Sequence, residues 1–339
     1  MNYSIIIPSF NRIQEIKELM ASVEDMQIPE EITMEVVIVD DGSTDSTMEF
    51  LSNMETNINL TLLTQANSGP GKARNLGMSK ANGDYFIFID SDCLVPSNYL
   101  TAVHRHINLN PCDAFGGPDS YHPSFPPLLK AINFSMTSFI GTGGTRGSKR
   151  SVGKFYPRSF NMGISRKVYE SIGGFSTLRH GQDMDYSARI YNAGFKVELI
   201  PDAVVFHKRR TTLKKFFKQI FNWGVARINL SRKHKELLKP VHFLPSFVLL
   251  VVAMLIVFFL LGGGSPYPLM ILGVLATIIG AYIFISSFFM YNHLKTSALS
   301  VITTYTQVIA YGLGLLWGLI QRYVLRKTIS EGFTKRYYE

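Results

Sequence analysis

Asp84-Tyr85-Phe86-Ile87-Phe88-Ile89-Asp90-Ser91-Asp92 decides the fold. Tyr85 to Ile89 is an apolar run of strand length, and it stops at two carboxylates separated by one residue. A buried strand ending in Asp-x-Asp presents both side chains at the carboxyl edge of a sheet, where open α/β sheets bind ligands. Two acidic oxygens at such an edge suit a hard divalent cation, commonly one shared with a substrate phosphate. The motif is short, so its meaning depends on what surrounds it.

Upstream, three more apolar runs end in polar, loop-forming residues. Ser4-Ile5-Ile6-Ile7-Pro8 leads into Ser9-Phe10-Asn11-Arg12, with Asn11 expected to cap a helix whose apolar positions are Ile13, Ile16, Leu19, Met20 and Val23. Glu35 to Val39 ends in Asp40-Asp41-Gly42-Ser43-Thr44-Asp45, where Ser43 is expected to cap a helix running to about Met54. Leu60 to Leu63 precedes Asn67-Ser68-Gly69-Pro70-Gly71-Lys72-Ala73-Arg74-Asn75 and a helix through Lys80. Strands alternating with helices predict an α/β domain with a mostly parallel, doubly wound sheet. Its strand ends form a nucleotide-sized crevice. There Asp41 can accept from a base N–H, Lys72 or Arg74 can neutralise a diphosphate, Asp90 can hold ribose hydroxyls and Asp92 a metal.

Taken in order, Ile5 to Asn11, Val37 to Asp45 and Phe88 to Asp92 resemble the family 2 glycosyltransferases, which have the GT-A fold. The likeness spans about the first two-thirds of the chain. It implies an inverting transferase that uses a nucleotide-activated sugar with Mg2+ or Mn2+. By this resemblance Asp41 is the base-binding carboxylate, Asp90 and Asp92 are the ribose- and metal-binding pair, and Pro8 and Phe10 sit in the nucleotide site.

Further along, Ala114 to Pro118 reads as a strand and turn, and Phe160 to Ser165 as a strand followed by a helix near Lys167 to Ser171. Between them Gly141 to Arg150 is a glycine-rich loop with three cations, expected as a lid or an acceptor-side loop. A helix opens at Gln182 with Ile190 and Ala193 on its apolar face and Gly194 at its end. The resembling family has Glu-Asp at this helix entry, with the Asp as catalytic base. Here the pair is Gln182-Asp183, so Asp183 is assigned as base and Asp185 as a carboxylate of the helix turn. His207 ends a later apolar run. Many GT-A enzymes place a late His on the metal, so the metal set implied by resemblance is Asp92, Asp90 and His207.

The chain has 339 residues and a formal charge of +9. Residues 207–240 hold eleven Lys/Arg and one Glu, a local +10, so the remainder is nearly neutral. From Phe243 to Asn292, and again from Thr296 to Gln321, there is no Asp, Glu, Lys or Arg. Apolar runs of this length predict membrane helices, at about 245–261, 268–290 and 298–320. The expected organisation is a catalytic domain at 1–210, a basic interfacial region at 211–240, transmembrane helices at 241–321 and a basic tail at 322–339. Leu213, Phe216, Phe217, Ile220, Phe221 and Val225 interleave with Lys214, Lys215, Lys218 and Arg227, predicting an amphipathic helix in an anionic headgroup layer at 208–239. The uncharged stretch behind this block argues against nucleic acid as its partner.

Gln219-Ile220-Phe221-Asn222-Trp223 partly resembles the Gln-x-x-Arg-Trp element of processive synthases, with Asn222 in the place of Arg. A single transfer is therefore the better reading. Positive-inside counting puts 207–240 and the catalytic domain in the cytoplasm, at an inner (plasma) membrane crossed several times. Three crossings would export Arg322, Arg326, Lys327, Lys335 and Arg336, so 298–320 stays open between a third span and a re-entrant or interfacial segment. The start of the chain has no basic-then-apolar leader. Cys93 and Cys112 make neither a disulfide framework nor a metal-ligand pattern. The expected acceptor is membrane-bound, and polyprenyl-linked saccharides of exopolysaccharide or cell-envelope synthesis fit it. The alternatives are a polyprenyl-phosphate sugar synthase, a processive polysaccharide synthase, and a non-catalytic scaffold that only binds nucleotide sugar.

Overall fold

Parallel pairing of β1 (Asn2–Ser9), β2 (Thr33–Asp40), β3 (Asn59–Thr64) and β4 (Tyr85–Ile89) builds one half of a seven-stranded sheet. The computed structural model describes residues 1–142, 154–262 and 264–333. The expected 141–150 loop lies outside the described residues from 143 onward, as do Lys335 and Arg336. Two compact units emerge, one from Met1–His122 and the described part of Gly143–Lys208, the other from Pro123–Thr142 and the described part of Arg209–Lys335. Each is described in turn.

In the first unit the remaining strands are β5 (Cys93–Leu94), β6 (Ala114–Gly116), β7 (Asp119–Ser120), β8 (Asn161–Ser165), β9 (Val197–Leu199) and β10 (Val205–His207). The large sheet runs β3-β2-β1-β4-β8-β6-β9, with β8 antiparallel to both neighbours. A three-stranded sheet, β5-β10-β7, stands apart from it. The mostly parallel sheet is as the alternating pattern predicts. Ile5 to Ile7, Val36 to Val39 and Phe86 to Ile89 are fully buried, which explains their continuous apolar runs: both sheet faces are covered. One layer is α1 (Ile13–Glu24), α2 (Thr47–Ser52) and, later, α4 (Tyr99–Leu109). The other is α3 (Pro70–Lys80), α7 (Arg166–Ile172) and α8 (Gln182–Asn192).

Both expected caps are displaced. Asn11 takes a left-handed φ of 51° and clamps the loop after β2, its Oδ1 accepting from Thr44 N at 2.7 Å. Ser43 donates to Asp40 and accepts from Asn11 N at 2.8 Å, and the helix starts only at Thr47. The two side chains bond each other's loop instead of a helix end, because the two strand ends lie side by side. Ala193, expected on an apolar face, is exposed.

The second unit contains α5 (Pro127–Thr137), α6 (Phe139–Thr142), α9 (Leu213–Lys233), α10 (Leu244–Leu260), α11 (Tyr267–Tyr291) and α12 (Leu294–Leu319). It takes residues 123–142 from within the expected 1–210 domain, because α5 packs on α12. Among the described residues three helices are long and apolar enough to cross a membrane. α10 and α11 expose most of their apolar side chains, whereas α12 buries 44% of its most apolar window. At 1.5 Å per residue its 26 residues reach about 39 Å in one unbroken helix. Its polar face is turned inward. Thr303 Oγ1 donates to Ala131 O of α5 at 3.0 Å, Thr304 Oγ1 to Ser300 O at 2.7 Å, and Ser287 and Ser300 meet at 2.8 Å. Hydroxyls satisfied in this way are tolerated inside a membrane-type bundle.

The basic helix α9 corrects another expectation. Phe216, Ile220 and Val225 are buried by protein, with α12 as the main neighbour, and so cannot rest on acyl chains. Gly224 and Gly314 allow the close approach: a Cβ on Gly314 would overlap the Phe221 carbonyl, and one on Gly224 the Tyr311 carbonyl. Lys214 and Lys215 stay exposed. Asn222 is buried, and its Oδ1 accepts from Phe333 N at 2.8 Å. The residue standing where processive synthases have Arg thus ties down the end of the described chain. Asn229 and Ser330 exchange two bonds at 2.8 and 2.9 Å, and Gln321 and Glu331 two at 2.7 and 3.0 Å. The described part of the expected basic tail is bonded to α9 and to Gln321.

Glu35, 8% exposed, joins three segments of the first unit. Its Oε1 accepts from Ser4 Oγ at 2.6 Å and Asn82 N at 2.5 Å, and Ser4 Oγ accepts in turn from Gly83 N at 2.8 Å. Burial alone would raise this carboxyl, but the bonds from Ser4 and Asn82 outweigh it and hold it below its ordinary value of 4.5. A depressed folded value means stability that is complete above the unfolded value and is lost as pH falls through the folded one. Glu35→Gln is expected to cost about 1–3 kcal/mol at pH 7. It should also flatten the acid side of a stability–pH curve below pH 4.5. Denaturant melts of wild type and variant across that range check both.

Candidate active site

The two carboxylates after β4 part company. Asp90 pairs with Arg74 of α3, a guanidinium only 4% exposed that lies 5.3 Å from the centre of the Phe175 ring. Arg74, expected on a diphosphate, is committed inward to Asp90, while Lys72 is exposed. Sequence position could not separate these two cations. Burial does, because Arg74 lies on the face of α3 that packs against the sheet.

Asp92 turns to the three-stranded sheet. Antiparallel pairing sets His207 opposite Cys93, and His207 Nε2 lies 3.2 Å from Asp92 Oδ1. Asp92, Cys93 and His207 bring their ligand atoms within 4.8 Å of one another. Cis ligands about 2.1 Å from an octahedral cation are about 3 Å apart, so the Asp92–His207 spacing fits a hard divalent ion. Cys93 does not fit the same ion. Burial first, then Asp92, Asp90 and Asp119, push its thiol well above its ordinary value, and a protonated thiol is a poor ligand. Asp90, expected in the metal set, is not in this cluster, because Arg74 holds it.

The loop after β1 adds a cation that the sequence reading did not assign. Arg12 bonds Glu15 at 2.8 Å. Burial alone would lower its guanidinium, but Asp92, Glu15 and Asp90 together hold it above its ordinary value. Its position directly after the first strand end was the available signal. Pro8 is buried and Phe10 half-buried at the same edge. Asp41 is fully buried and holds the following loop, accepting from Gln65 Nε2 at 2.5 Å, Ser68 N at 2.8 Å and Gly69 N at 2.7 Å. Its carboxylate here supports the Gln65–Gly69 turn, which leads into α3 through Gly69 at φ 92°.

Asp183 sits in the first turn of α8, accepts from Met184 N at 2.9 Å, and lies 3.5 Å from Arg158 Nη1. Arg158 was not anticipated. Gln182 is packed over Gly71, where an added Cβ would come within 2.5 Å of its Nε2, so α8 is braced on the first turn of α3. Asp185 is 2% exposed and meets Arg189 at 3.2 Å, as suits a carboxylate of the helix turn. Burial, then Arg179, lowers His180 to about 4, so its imidazole is neutral at pH 7.

The fold and the acid-ended strands match the model of glycosyl transferase family 2 over residues 4–173, half of the chain, and the chain belongs to that family. The model of glycosyl transferase family 21 also matches, over residues 124–324. Glycosyltransferase AglE of Haloferax volcanii is 28% identical over 245 residues, 68% of this chain and 76% of that protein. Succinoglycan biosynthesis protein ExoA of Rhizobium meliloti is 24% identical, over 69% of this chain and 71% of that one. The poly(ribitol-phosphate) β-N-acetylglucosaminyltransferase TarS of Staphylococcus aureus is 37% identical over 39% of this chain, which is 25% of that longer protein. Mannosyltransferase PcManGT of Pyrobaculum calidifontis, solved with GDP-Man and Mn2+, superposes with a TM-score of 0.64 at 18% identity, covering 93% of this chain and 87% of that one. The fold is therefore GT-A, and the protein is a glycosyltransferase with helices suited to a membrane.

Arg74→Ala is expected to leave Asp90 without its cation and lower stability by about 1–3 kcal/mol. Arg74→Lys should recover little of this, since an ammonium on a different stem does not place a planar guanidinium between Asp90 and the Phe175 ring. Thermal melts of the purified protein in detergent check both; equal stability of Arg74→Lys and wild type would contradict a guanidinium-specific role.

Proposed function

We propose that this protein is an inverting glycosyltransferase that moves a sugar from a UDP- or GDP-sugar to a polyprenyl-linked acceptor at the cytoplasmic face of the plasma membrane. The observation that carries this reading is the convergence of Asp92 and His207 beside an Asp90 held by Arg74. PcManGT, which shares the fold, was solved with a nucleotide sugar and Mn2+. ExoA is named for succinoglycan biosynthesis, and a glucuronosyltransferase of Methanococcus voltae, 25% identical over 69% of this chain, is named for a dolichyl N-acetylglucosaminyl phosphate acceptor.

In this reading Pro8, Phe10 and the turn anchored by Asp41 enclose the base. Asp90, fixed by Arg74, accepts from the ribose hydroxyls. Asp92 and His207 hold Mg2+ or Mn2+, which supplies positive charge to the diphosphate as it departs. Arg12 and Lys72 add fixed cations for the same charge. Asp183 takes the proton from the acceptor hydroxyl as its oxygen attacks the anomeric carbon opposite the diphosphate, and the stereocentre inverts. Arg158 keeps Asp183 oriented. The residues read as a catalytic domain are 1–210. Exposed Lys214 and Lys215 of the 211–240 region meet anionic headgroups, and of the apolar helices of 241–321 α10 and α11 cross the bilayer, while α12 brings Ser330 and Phe333 back to α9 on its own side.

An Asp183→Asn variant in native membranes is expected to lose about 10²–10⁴-fold in transfer rate. Asp92→Ala should lose at least as much, while both remain folded and membrane-bound. Membranes supplied with a panel of radiolabelled nucleotide sugars, followed by identification of the labelled lipid, measure this. Full turnover in either variant would remove the site assignment. Transfer to a bare polyprenyl phosphate that survives Asp183→Asn would instead favour a polyprenyl-phosphate sugar synthase, because that acceptor needs no base.

A further inference from the structure

α9 and α12 lie side by side and run in the same direction. Gly314 meets Phe221, Gly318 meets Val225 and Ile228, and Arg322 Nη1 donates to Ser231 Oγ at 3.2 Å. Along this stretch α9 carries Arg227, Arg232 and Lys233, and Arg232 donates to Lys327 O at 2.7 Å. Charged side chains are costly in a hydrocarbon core. α9 therefore stays outside the core, and the second half of α12 stays with it.

α10 gives the same answer from another contact. Ser246, close behind the basic block, donates to Gly312 O at 2.9 Å. Gly312 is about 27 Å along α12 from Leu294. In a third span running back from α11, that position would approach the far side of a core about 30 Å thick. It lies instead against the first turn of α10. Earlier on α12, Thr303 and Gln307 bond Ala131 of α5 and Gly141 of α6 at 3.0 and 2.6 Å, and both of those helices are too short to cross.

The other side of α12 carries a different surface. From Val301 to Ile320 every exposed residue is large and apolar: Ile302, Ile309, Leu313, Trp317 and Ile320. Helical spacing puts them in one row, which runs on into exposed Tyr323 and Val324 and then meets exposed Arg326 and Lys327. An apolar row with aromatics and cations at its end is the composition of a helix lying in the headgroup layer. Phe247 and Val248, next to Ser246 on α10, are exposed too, so the row continues the lipid-facing surface of a span.

We propose that α12 is a lipid-docking helix lying along the leaflet on the side of α9, with Ile309, Leu313, Trp317 and Ile320 seated at the acyl boundary and Arg326 and Lys327 at anionic headgroups. The lipid contact that the spacing of α9 suggested thus falls to α12, while α9 covers its opposite face. Arg322, Arg326 and Lys327 then stay on the side where the chain enters α10, which removes the conflict between three crossings and the positive-inside rule. The inference rests on the reading that α10 and α11 cross the bilayer, and deepens it by giving α12 its depth and its partner.

The test uses the full-length protein in vesicles containing anionic phospholipid, with the unsubstituted protein, whose two cysteines are buried, as the blank. Nitroxides are attached singly to Ile309→Cys, Leu313→Cys and Ile320→Cys, and their depth is read from collisions with oxygen and with a water-soluble nickel complex. All three should sit at one shallow depth. A profile that is deepest at Ile309→Cys and shallow at Ile320→Cys is that of a span and overturns the proposal. Labels that meet no lipid and broaden one another through a second copy of the chain overturn it as well. A membrane-impermeant maleimide is then applied from either side to Lys214→Cys, Ser265→Cys and Ile329→Cys. Ile329→Cys should react from the same side as Lys214→Cys, and reaction from the opposite side overturns the proposal. Ser265→Cys reports on the other reading: reaction from the side of Lys214→Cys removes the crossing by α10 and α11, while the nitroxide depths still decide the place of α12.

Discussion

Two carboxylates one residue apart at the end of a buried strand repel each other, and each must be met by a different positive or polar group. The structure resolves this by sending Asp90 to Arg74 and Asp92 to His207. Much of the first unit follows from that division. Arg74 must come from a helix laid against the sheet, and the glycine turn before α3 lets the chain enter that helix. His207 comes from β10 of the small sheet, whose antiparallel pairing with β5 sets it beside Asp92. The buried guanidinium also gains the face of Phe175, a contact that an exposed cation would not hold as firmly.

The strands of the large sheet were readable because both of its faces are covered, so Ile5 to Ile7 and Val36 to Val39 appear as unbroken apolar runs. The acid-ended strands were readable for a related reason: charge directly after such a run has few places to go except the sheet edge. What could not be read was pairing between distant segments. Arg74 and Lys72 look interchangeable in the sequence, and only the packing of α3 sends one inward. Asn11 and Ser43 look like helix caps, since each has a short polar side chain just before a helical stretch. Their bonds go across to each other's loops, a relation set by strand order. Cys93 had no patterned partner in the sequence, yet strand register brings it beside His207. Arg158 is a single cation in an irregular segment and carried no signal.

The membrane helices divided in the same way. α10 and α11 were plain from hydropathy, because an apolar face toward lipid needs nothing else. α12 mixes hydroxyls with apolar residues, a pattern that fits both a weak span and a buried one. Its inward hydroxyls bond to backbone carbonyls and to each other, so the polarity belongs to helix packing. The basic helix α9 was read as amphipathic from the spacing of Phe216, Ile220 and Val225, and the spacing was real. Its apolar side faces protein, however, because Gly224 and Gly314 let α9 and α12 approach closely.

The bond from Thr303 to Ala131 joins residues 172 positions apart. During synthesis α5 leaves the ribosome long before α12 exists, so its apolar side lacks this partner until the last helix is made. Contacts of such high sequence separation form late and slowly. A chain cut anywhere before α12 would leave the second unit without its central helix and α5 without its seat, so the catalytic half cannot be cleanly excised by trimming from the carboxyl end.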